Sequence, residues 1–202
     1  MMENGRDVAD RAIQLVARLS IDKSSQVLSK MVKTGAYIEM ERAYVGDISE
    51  ISTVISENYT DIVGAFIDLQ GDMPCKFLFF VDAQDSMALA DMLLRRPAGT
   101  TKEFNEYTIS AIQEIGNVLA SAISNVFSAD LQIKMKPSPP EVVHDFAGTI
   151  FQEYIRTVAG AMDEIMIIES KFRVVKVDMR CNMFIVPQAS IEAFFQMISK
   201  VL

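Results

Sequence analysis

Residues 109–127 read ISAIQEIGNVLASAISNVF, and no other stretch says more about the fold. On a helical wheel at about 100° per residue, its apolar residues gather on one broad side. These are Ala111, Ile112, Ile115, Val118, Leu119, Ala122, Ile123 and Val126. Small polar residues gather on the other side, namely Ser110, Glu114, Asn117, Ser121 and Asn125. The pattern predicts a long amphipathic helix that packs one side on a core.

The polar side of this helix has an unusual composition. Exposed helix faces normally carry Lys, Glu and Arg, which are good helix formers, whereas this face carries Ser and Asn and no basic residue. Gly116 in the helix interior costs about 1 kcal/mol relative to alanine, so a close approach on that side is expected. Two interpretations stay open. The face has no task, or Glu114 and Asn117, three residues apart and neighbours on one face, form a site for a docked partner.

Outward from this helix, apolar spacing and turn residues divide the first half of the chain into six elements. We predict a helix over 6–33, a strand over 37–41, a helix capped by Asp47 to residue 55, strands over 62–69 and 75–81, and a helix over 85–95. The segment between the two later strands, QGDMP, has the composition of a hairpin turn.

The second half repeats this order of elements. We predict a helix over 103–127, a strand over 131–136, a rigid corner at 137–140, a helix over 142–159, strands over 165–169 and 172–179 continuing through 183–186, and a helix over 190–202. The break at 97–101 is too short for a flexible linker between independent domains. The sequence therefore predicts one α/β (α+β) domain over 1–202 with pseudo-twofold symmetry between 1–97 and 98–202.

Composition limits the possible partners. Half of the 202 residues are hydrophobic, and the formal net charge of −8 argues against nucleic acid and anionic membrane, which require a basic surface. No apolar run reaches the roughly 18 residues that cross a bilayer, and the N-terminal residues lack the apolar core of a signal peptide. We expect a cytoplasmic protein without membrane insertion.

The residues that carry common hydrolytic chemistry are scarce. Cys75 and Cys181 are the only cysteines, and their apolar surroundings indicate reduced core residues. His144 is the only histidine, so there is no zinc-site spacing and no Ser–His or Cys–His arrangement to propose. A glycine-rich phosphate loop is also absent from the sequence. We expect no metal and no cofactor of the protein's own.

Ser110, Glu114, Asn117 and Pro140 resemble the signature of the CheC family of chemotaxis phosphatases, which includes CheX and the flagellar-switch relative FliY. The family pattern is Asp or Ser, three residues, Glu, two residues, Asn, and a proline about twenty-two residues later. All four positions match, and the hairpin residues GDMP also look like this family. The resemblance implies a duplicated CheC-like domain in which a central, mainly antiparallel sheet carries two long helices on one face.

The resemblance also implies an activity in two-component signalling, namely hydrolysis of the aspartyl phosphate of a CheY-like response regulator. The regulator itself would hold the magnesium ion. Asn117 would orient the attacking water, and Glu114 would pair with the regulator's active-site lysine. Ser110 and Ser121 would contact the partner, and Pro140 would shape the corner that lets the helix protrude.

The first helix departs from the family pattern. Typical CheC proteins carry the motif on each long helix, but an ungapped register anchored at 28–30 places Leu15 at the glutamate position and Arg18 at the asparagine position. This register predicts a single active face.

A non-catalytic signalling adaptor is the alternative. The segment VVHDFAG at 142–148 resembles the helix by which relatives bind the deamidase CheD, with Asp145 at a position implicated in that contact. Asp145 is equally well a first-turn acid favoured by the helix dipole. No segment resembles the additional switch domain of FliY. The oligomeric state stays open.

Overall fold

The chain folds around a seven-stranded antiparallel sheet with helices on both faces. The structure, a computed structural model, describes residues 2–32, 36–155, 164–174 and 177–199. Its strands are β1 (Ala36–Asp47), β2 (Asp61–Gly71), β3 (Cys75–Asp82), β4 (Met135–Pro137), β5 (Glu141–Phe146), β6 (Glu164–Val174) and β7 (Val177–Pro187). Their order is β1-β6-β7-β3-β2-β4, and β5 also pairs with β2.

Two antiparallel hairpins form the centre of the sheet. β2 and β3 make one, β6 and β7 make the other, and the pairing of β3 with β7 joins them. The outer strands are exchanged, because β1 pairs with the later hairpin while β4 and β5 pair with the earlier one. The order of strands is therefore what an internal repeat would give, although the repeat boundary between 97 and 98 remains a prediction.

Helices cover the two faces of the sheet unequally. They are α1 (Met2–Val32), α2 (Ile48–Asn58), α3 (Ala83–Leu93), α4 (Glu106–Asn125), the single turn α5 (Ala147–Thr149) and α6 (Ile191–Ser199). π-helical turns follow α4 at Val126–Asp130 and α5 at Ile150–Ile155. α1, α3, α4 and α6 share one core with the sheet, and α2 and α5 share a second core on its other face. The two long helices lie on one face, as predicted.

The alternation of β3 separates these two cores. Phe77 and Phe79 point towards the long helices, whereas Leu78 and Phe80 point towards α2 and α5. All four side chains are buried, since neither face of the central strands is open to water. Such a strand reads as a continuous apolar run rather than an alternating one.

Most of the predicted elements are confirmed, and the predicted cap at Asp47 is among them. Its side chain accepts a hydrogen bond from the Ser49 amide at 2.7 Å, and Glu50 completes the capping box. Cys75 and Cys181 are buried free thiols, and burial raises the pKa of Cys75 to about 12. The predicted residues 33, 156–159, 175–176 and 200–202 lie outside the described ranges.

The helix predicted over 142–159 is wrong at its start. Residues 141–146 form β5, and the helix begins only at Ala147. The physical reason is the outer edge of β2, whose backbone N–H and C=O groups pair with β5 from Asp61 to Phe66. Two valines within EVVHDF suit a strand as well as a helix, so the long-range pairing decides.

Two further strand boundaries differ from the predictions. Gln132 has φ 54°, which interrupts an extended chain, and β4 therefore begins at Met135 instead of residue 131. β6 continues through the break predicted at 170–171, because Ser170 and Lys171 stay paired with Met40 and Glu39 of the neighbouring strand β1. A single described pairing, Val174 with Val177, then closes the hairpin.

Among the described residues, no helix is long and apolar enough to cross a bilayer.

α4 lies unusually close to β2 at Gly116. A Cβ placed on Gly116 would lie 3.1 Å from the Cβ of Ala65 on β2 and 3.7 Å from the Cβ of Pro140. The cost of this glycine in a helix is therefore explained by packing against the sheet, and not by approach of a partner on the polar face as the sequence suggested.

Gly116→Ala is expected to lower the free energy of unfolding by about 1 kcal/mol, although alanine is intrinsically the better helix former. The Ala65 Cβ is fixed to the backbone, so α4 itself must move away. Gly148→Ala is the matched control, because a Cβ there meets nothing within 4 Å. It should leave stability unchanged or raise it. Urea unfolding of both variants measures the difference, and a stabilised Gly116→Ala protein would contradict this account of the packing.

Candidate functional site

The start of α4 is fixed by a cap. The side chain of Asn105 accepts hydrogen bonds from the amides of Tyr107 at 3.0 Å and Thr108 at 3.4 Å, and Thr108 completes a capping box. Thr108 is buried, and the apolar side predicted from the sequence packs into the core with Ile112, Ile115, Leu119 and Ile123. Both constraints fix the rotation of the helix about its axis.

This rotation leaves the predicted polar face open to solvent. Ser110, Glu114 and Asn117 are exposed, and Ser121 is half-buried. Within the described residues, none of these four side chains makes a hydrogen bond or an ion pair. A carboxylate and a carboxamide one helical turn apart are thus free to meet a docked molecule.

A groove runs along α4 on its side towards α1. It has a volume of about 380 Å³, and α4 contributes Asn117, Val118, Ser121, Ala122 and Asn125 to its walls. α1 contributes Lys23, Gln26 and Val27. Lys23 Nζ lies 2.6 Å from the carboxylate of Asp130, so its charge is already paired. Asn117 therefore stands at the rim of a cleft formed by both long helices.

The sequence did not reveal the contribution of α1 to this groove. Val27 belongs to the helical apolar pattern of α1, yet it is 43% exposed in the wall of the groove. The pattern alone cannot say which face of α1 meets α4, because that depends on how both helices cross the sheet.

Pro140 supports α4 from below. It is half-buried in the corner between β4 and β5, and it faces the backbone of α4 at Gly116. Ser138 fixes the same corner to β2, since its amide donates to the carbonyl of Asp68 at 2.8 Å and its hydroxyl accepts from the amide of Asp68 at 3.0 Å. The structure thus brings Pro140 next to the residue that precedes Asn117.

Asp145 lies on a different element from the other predicted residues. It is in β5 opposite Ile62, and its carboxylate accepts a hydrogen bond from the amide of Phe146 at 2.7 Å. The helix expected to carry it is not formed there, so the helical position of Asp145 is wrong, while its contact with CheD stays a prediction. Its neighbour His144 lies 2.8 Å from Asp61 and packs on Phe104.

Leu15 and Arg18 of α1 are both exposed, and Leu15 is 38% accessible. Their exposure agrees with a register in which they occupy the positions of Glu114 and Asn117. Neither side chain offers a hydrogen-bond acceptor.

A second cavity of about 560 Å³ lies at the C-terminal end of β3, and none of the predicted site residues lines it. Asp85 lines it, and burial together with the charge of Asp82 raises the pKa of Asp85 to about 6. Within the described part of the chain, no three His, Cys, Asp or Glu side chains are grouped to hold a metal ion. The predicted residues Ser110, Glu114, Asn117 and Ser121 lie together on the face of α4 instead.

Known proteins resemble the chain in this region and beyond it. The sequence model of the CheC-like family matches residues 109–144, which run from the start of α4 to β5. The CheY-P phosphatase CheC of Bacillus subtilis (strain 168) is 17% identical over 176 residues, a match that covers 85% of this chain and 84% of that protein.

Solved structures resemble the whole fold. FliY from Thermotoga maritima matches with a TM-score of 0.80 at 13% identity, covering 96% of this chain and 97% of that one. A chain of the CheX–CheY–BeF3–Mg²⁺ complex from Borrelia burgdorferi matches with a TM-score of 0.53 at 15% identity, covering 85% of this chain and 97% of that one. The predicted resemblance to the CheC/CheX/FliY family and the predicted mixed α/β fold are confirmed.

Proposed function

We propose that the face of α4 docks on a phosphorylated CheY-like response regulator and accelerates hydrolysis of its aspartyl phosphate. The observation that carries this proposal is the pair Glu114 and Asn117, exposed one turn apart and without a partner in the described structure. The similar CheC protein is a CheY-P phosphatase, and the similar CheX structure is a complex with CheY, which supports a CheY-like partner.

The chemistry asks little of the phosphatase. An aspartyl phosphate is a reactive acyl phosphate, and the regulator holds the magnesium ion that neutralises the phosphoryl oxygens. Water attacks phosphorus, the bond between phosphorus and the aspartyl oxygen breaks, and inorganic phosphate and a free carboxylate result. The protein must only place the water in line with the breaking bond.

Asn117 is suited to place this water. Its carboxamide oxygen accepts a hydrogen bond from the water while its N–H₂ group donates one, and its charge does not change with pH. The side chain stands at the rim of the groove between α1 and α4, where the surface of a partner can close over it.

Glu114 fixes the docking register in this proposal. Its carboxylate pairs with the regulator's active-site lysine, an interaction that gains strength when docking excludes water. Ser110 and Ser121 flank the pair on the same face and contact the partner. The formal charge of −8 disfavours nucleic acid as the partner, and a cytoplasmic location is part of the proposal.

The decisive experiment mixes the protein with a panel of phosphorylated response regulators and follows phosphate release and binding together. Release above the spontaneous rate supports the phosphatase. Binding of a phosphorylated regulator without added release would show the non-catalytic adaptor instead.

Asn117→Ala is expected to reduce accelerated phosphate release about 100-fold or more, because one group orients the water. Partner affinity should stay within a few-fold, since docking is spread over the face of α4. Gln196→Ala is the matched control: it removes an exposed carboxamide from α6, which contributes no residue to the groove. A variant at Asn117 that keeps most of the activity would exclude this role.

Glu114→Ala is expected to weaken both binding and rate. Removal of one member of a partly desolvated charge pair costs about 2 kcal/mol, or about 30-fold in Kd. Glu57→Ala removes the same charge from α2, on the other face of the sheet, and should change neither quantity. Calorimetric titration with the phosphorylated regulator measures both variants. An unchanged affinity after Glu114→Ala would remove this residue from the pairing.

The α1 face should be catalytically silent. Arg18→Ala is expected to change turnover by about twofold at most, the size of an ordinary surface substitution. Arginine has only donors and would bring a positive charge towards the regulator's own lysine. One chain should then bind one regulator. A stoichiometry of two, together with phosphate release that survives Asn117→Ala, would show a working site on α1.

A further inference from the structure

The C-terminus of α3 carries an arginine where glycine is usual. Arg95 has φ 55°, its amide donates to the carbonyl of Met92 at 3.1 Å, and the amide of Arg96 donates to the carbonyl of Asp91 at 2.8 Å. These two hydrogen bonds define a Schellman motif, in which the left-handed position is normally occupied by glycine because other residues are strained there. Residues with strained backbone conformations are concentrated at functional sites, so the strain at Arg95 suggests that its side chain has a function.

The segment after α3 is held firmly in place. The buried carboxylate of Asp91 accepts hydrogen bonds from the amides of Thr100 at 2.8 Å and Thr101 at 2.9 Å, and from the hydroxyl of Thr101 at 2.6 Å. Desolvation raises the pKa of Asp91, but these hydrogen bonds outweigh it and the pKa is lowered. The two arginines are therefore presented by an ordered segment.

Arg96 lies over an exposed aromatic ring at the start of α4. Its guanidinium carbon is 4.6 Å from the centre of the Tyr107 ring, and Tyr107 is 44% exposed. Leu94 beside them is 43% exposed. Tyrosine and arginine are the residues that most often dominate binding energy at protein interfaces.

Tyr107 belongs to the same face as the candidate site. At about 100° per residue, Tyr107, Glu114 and Asn117 fall within an arc of about 80°. Seven residues of helix place Tyr107 about 10 Å from Glu114 along the axis, well inside the width of a standard protein interface.

We propose that Arg95, Arg96 and Tyr107 form a cationic anchor that binds an acidic segment of the phosphorylated protein docked on Glu114 and Asn117. The inference rests on the proposed function. Charge complementarity identifies the occupant: the chain as a whole carries −8 and repels acidic proteins, so two adjacent arginines in the segment that seats Arg96 on Tyr107 supply local attraction. A carboxylate bonded to Arg96 would also keep the guanidinium seated on the ring.

The competing explanation is structural, since cations near a helix C-terminus interact favourably with the dipole of α3. The two explanations differ for Arg95→Gly. Glycine relieves the left-handed strain, so this variant should have a higher Tm than the wild type while it binds the partner at least about fivefold more weakly. A purely structural arginine would leave binding unchanged.

The experiment uses the phosphorylated response regulator that the full chain dephosphorylates. KM should rise about fivefold or more in Arg95→Gly, Arg96→Gln and Tyr107→Leu while kcat stays the same, and the salt dependence of KM should decrease in the arginine variants. Kd is measured in the Asn117→Ala background, where docking is observed without turnover. Arg42→Gln is the matched control, because Arg42 lies 4.7 Å over the ring of Tyr44 on β1 at the far edge of the sheet.

The outcomes separate the anchor from the proposed function. If wild-type protein dephosphorylates the regulator and the three variants keep its KM and Kd, the anchor is excluded and the phosphatase stands. If no phosphorylated regulator binds the wild-type chain, both are excluded. A loss of binding equal to that of Arg42→Gln would also overturn the anchor.

Discussion

The approach of α4 to β2 at Gly116 determines where every side chain of the candidate site lies. A helix with any larger residue at this position would have to stand further from Ala65, and its exposed face would shift relative to the groove beside α1. The proline corner below the same point takes part in this packing, since Pro140 occupies the space next to the glycine. Gly116 and Pro140 thus position Asn117 from the side of the core. Neither side chain has a polar group, and both contribute to the candidate site only through this packing.

The scaffold can present such a site at small cost because the proposed chemistry needs no buried charge. Glu114 and Asn117 stay in water until a partner arrives, so neither must be desolvated in the free protein. What the fold contributes is rigidity: the Asn105 cap and the buried apolar side of α4 fix the rotation of the helix. Preorganised groups lose little freedom on docking, and this makes a water-orienting amide effective.

The sequence was most informative where local periodicity and packing agree. The two sides of α4 and the cap at Asp47 follow from local rules, and the structure confirms them. Local rules do not predict the strand at 141–146, because EVVHDF is compatible with both a strand and the first turn of a helix. Pairing with the edge of β2, some eighty residues earlier in the chain, selects the strand. The groove could not be predicted either, because Val27 and Val118 line it together only through the crossing of two helices that are distant in sequence.

The two halves of the fold are alike in element order and unlike in what positions their long helices. In the register that aligns Leu15 with Glu114, the residue equivalent to Gly116 is Ala17, which is fully buried. α1 therefore carries a Cβ where α4 carries none. The residue equivalent to Pro140 is Glu41, which lies in β1 and forms an ion pair with Lys171 instead of supporting a helix. In this register, the predicted loss of the motif on α1 extends beyond two surface residues to the contacts beneath them. Restoring a glutamate and an asparagine on α1 alone would not rebuild the geometry that the glycine and the proline give to α4.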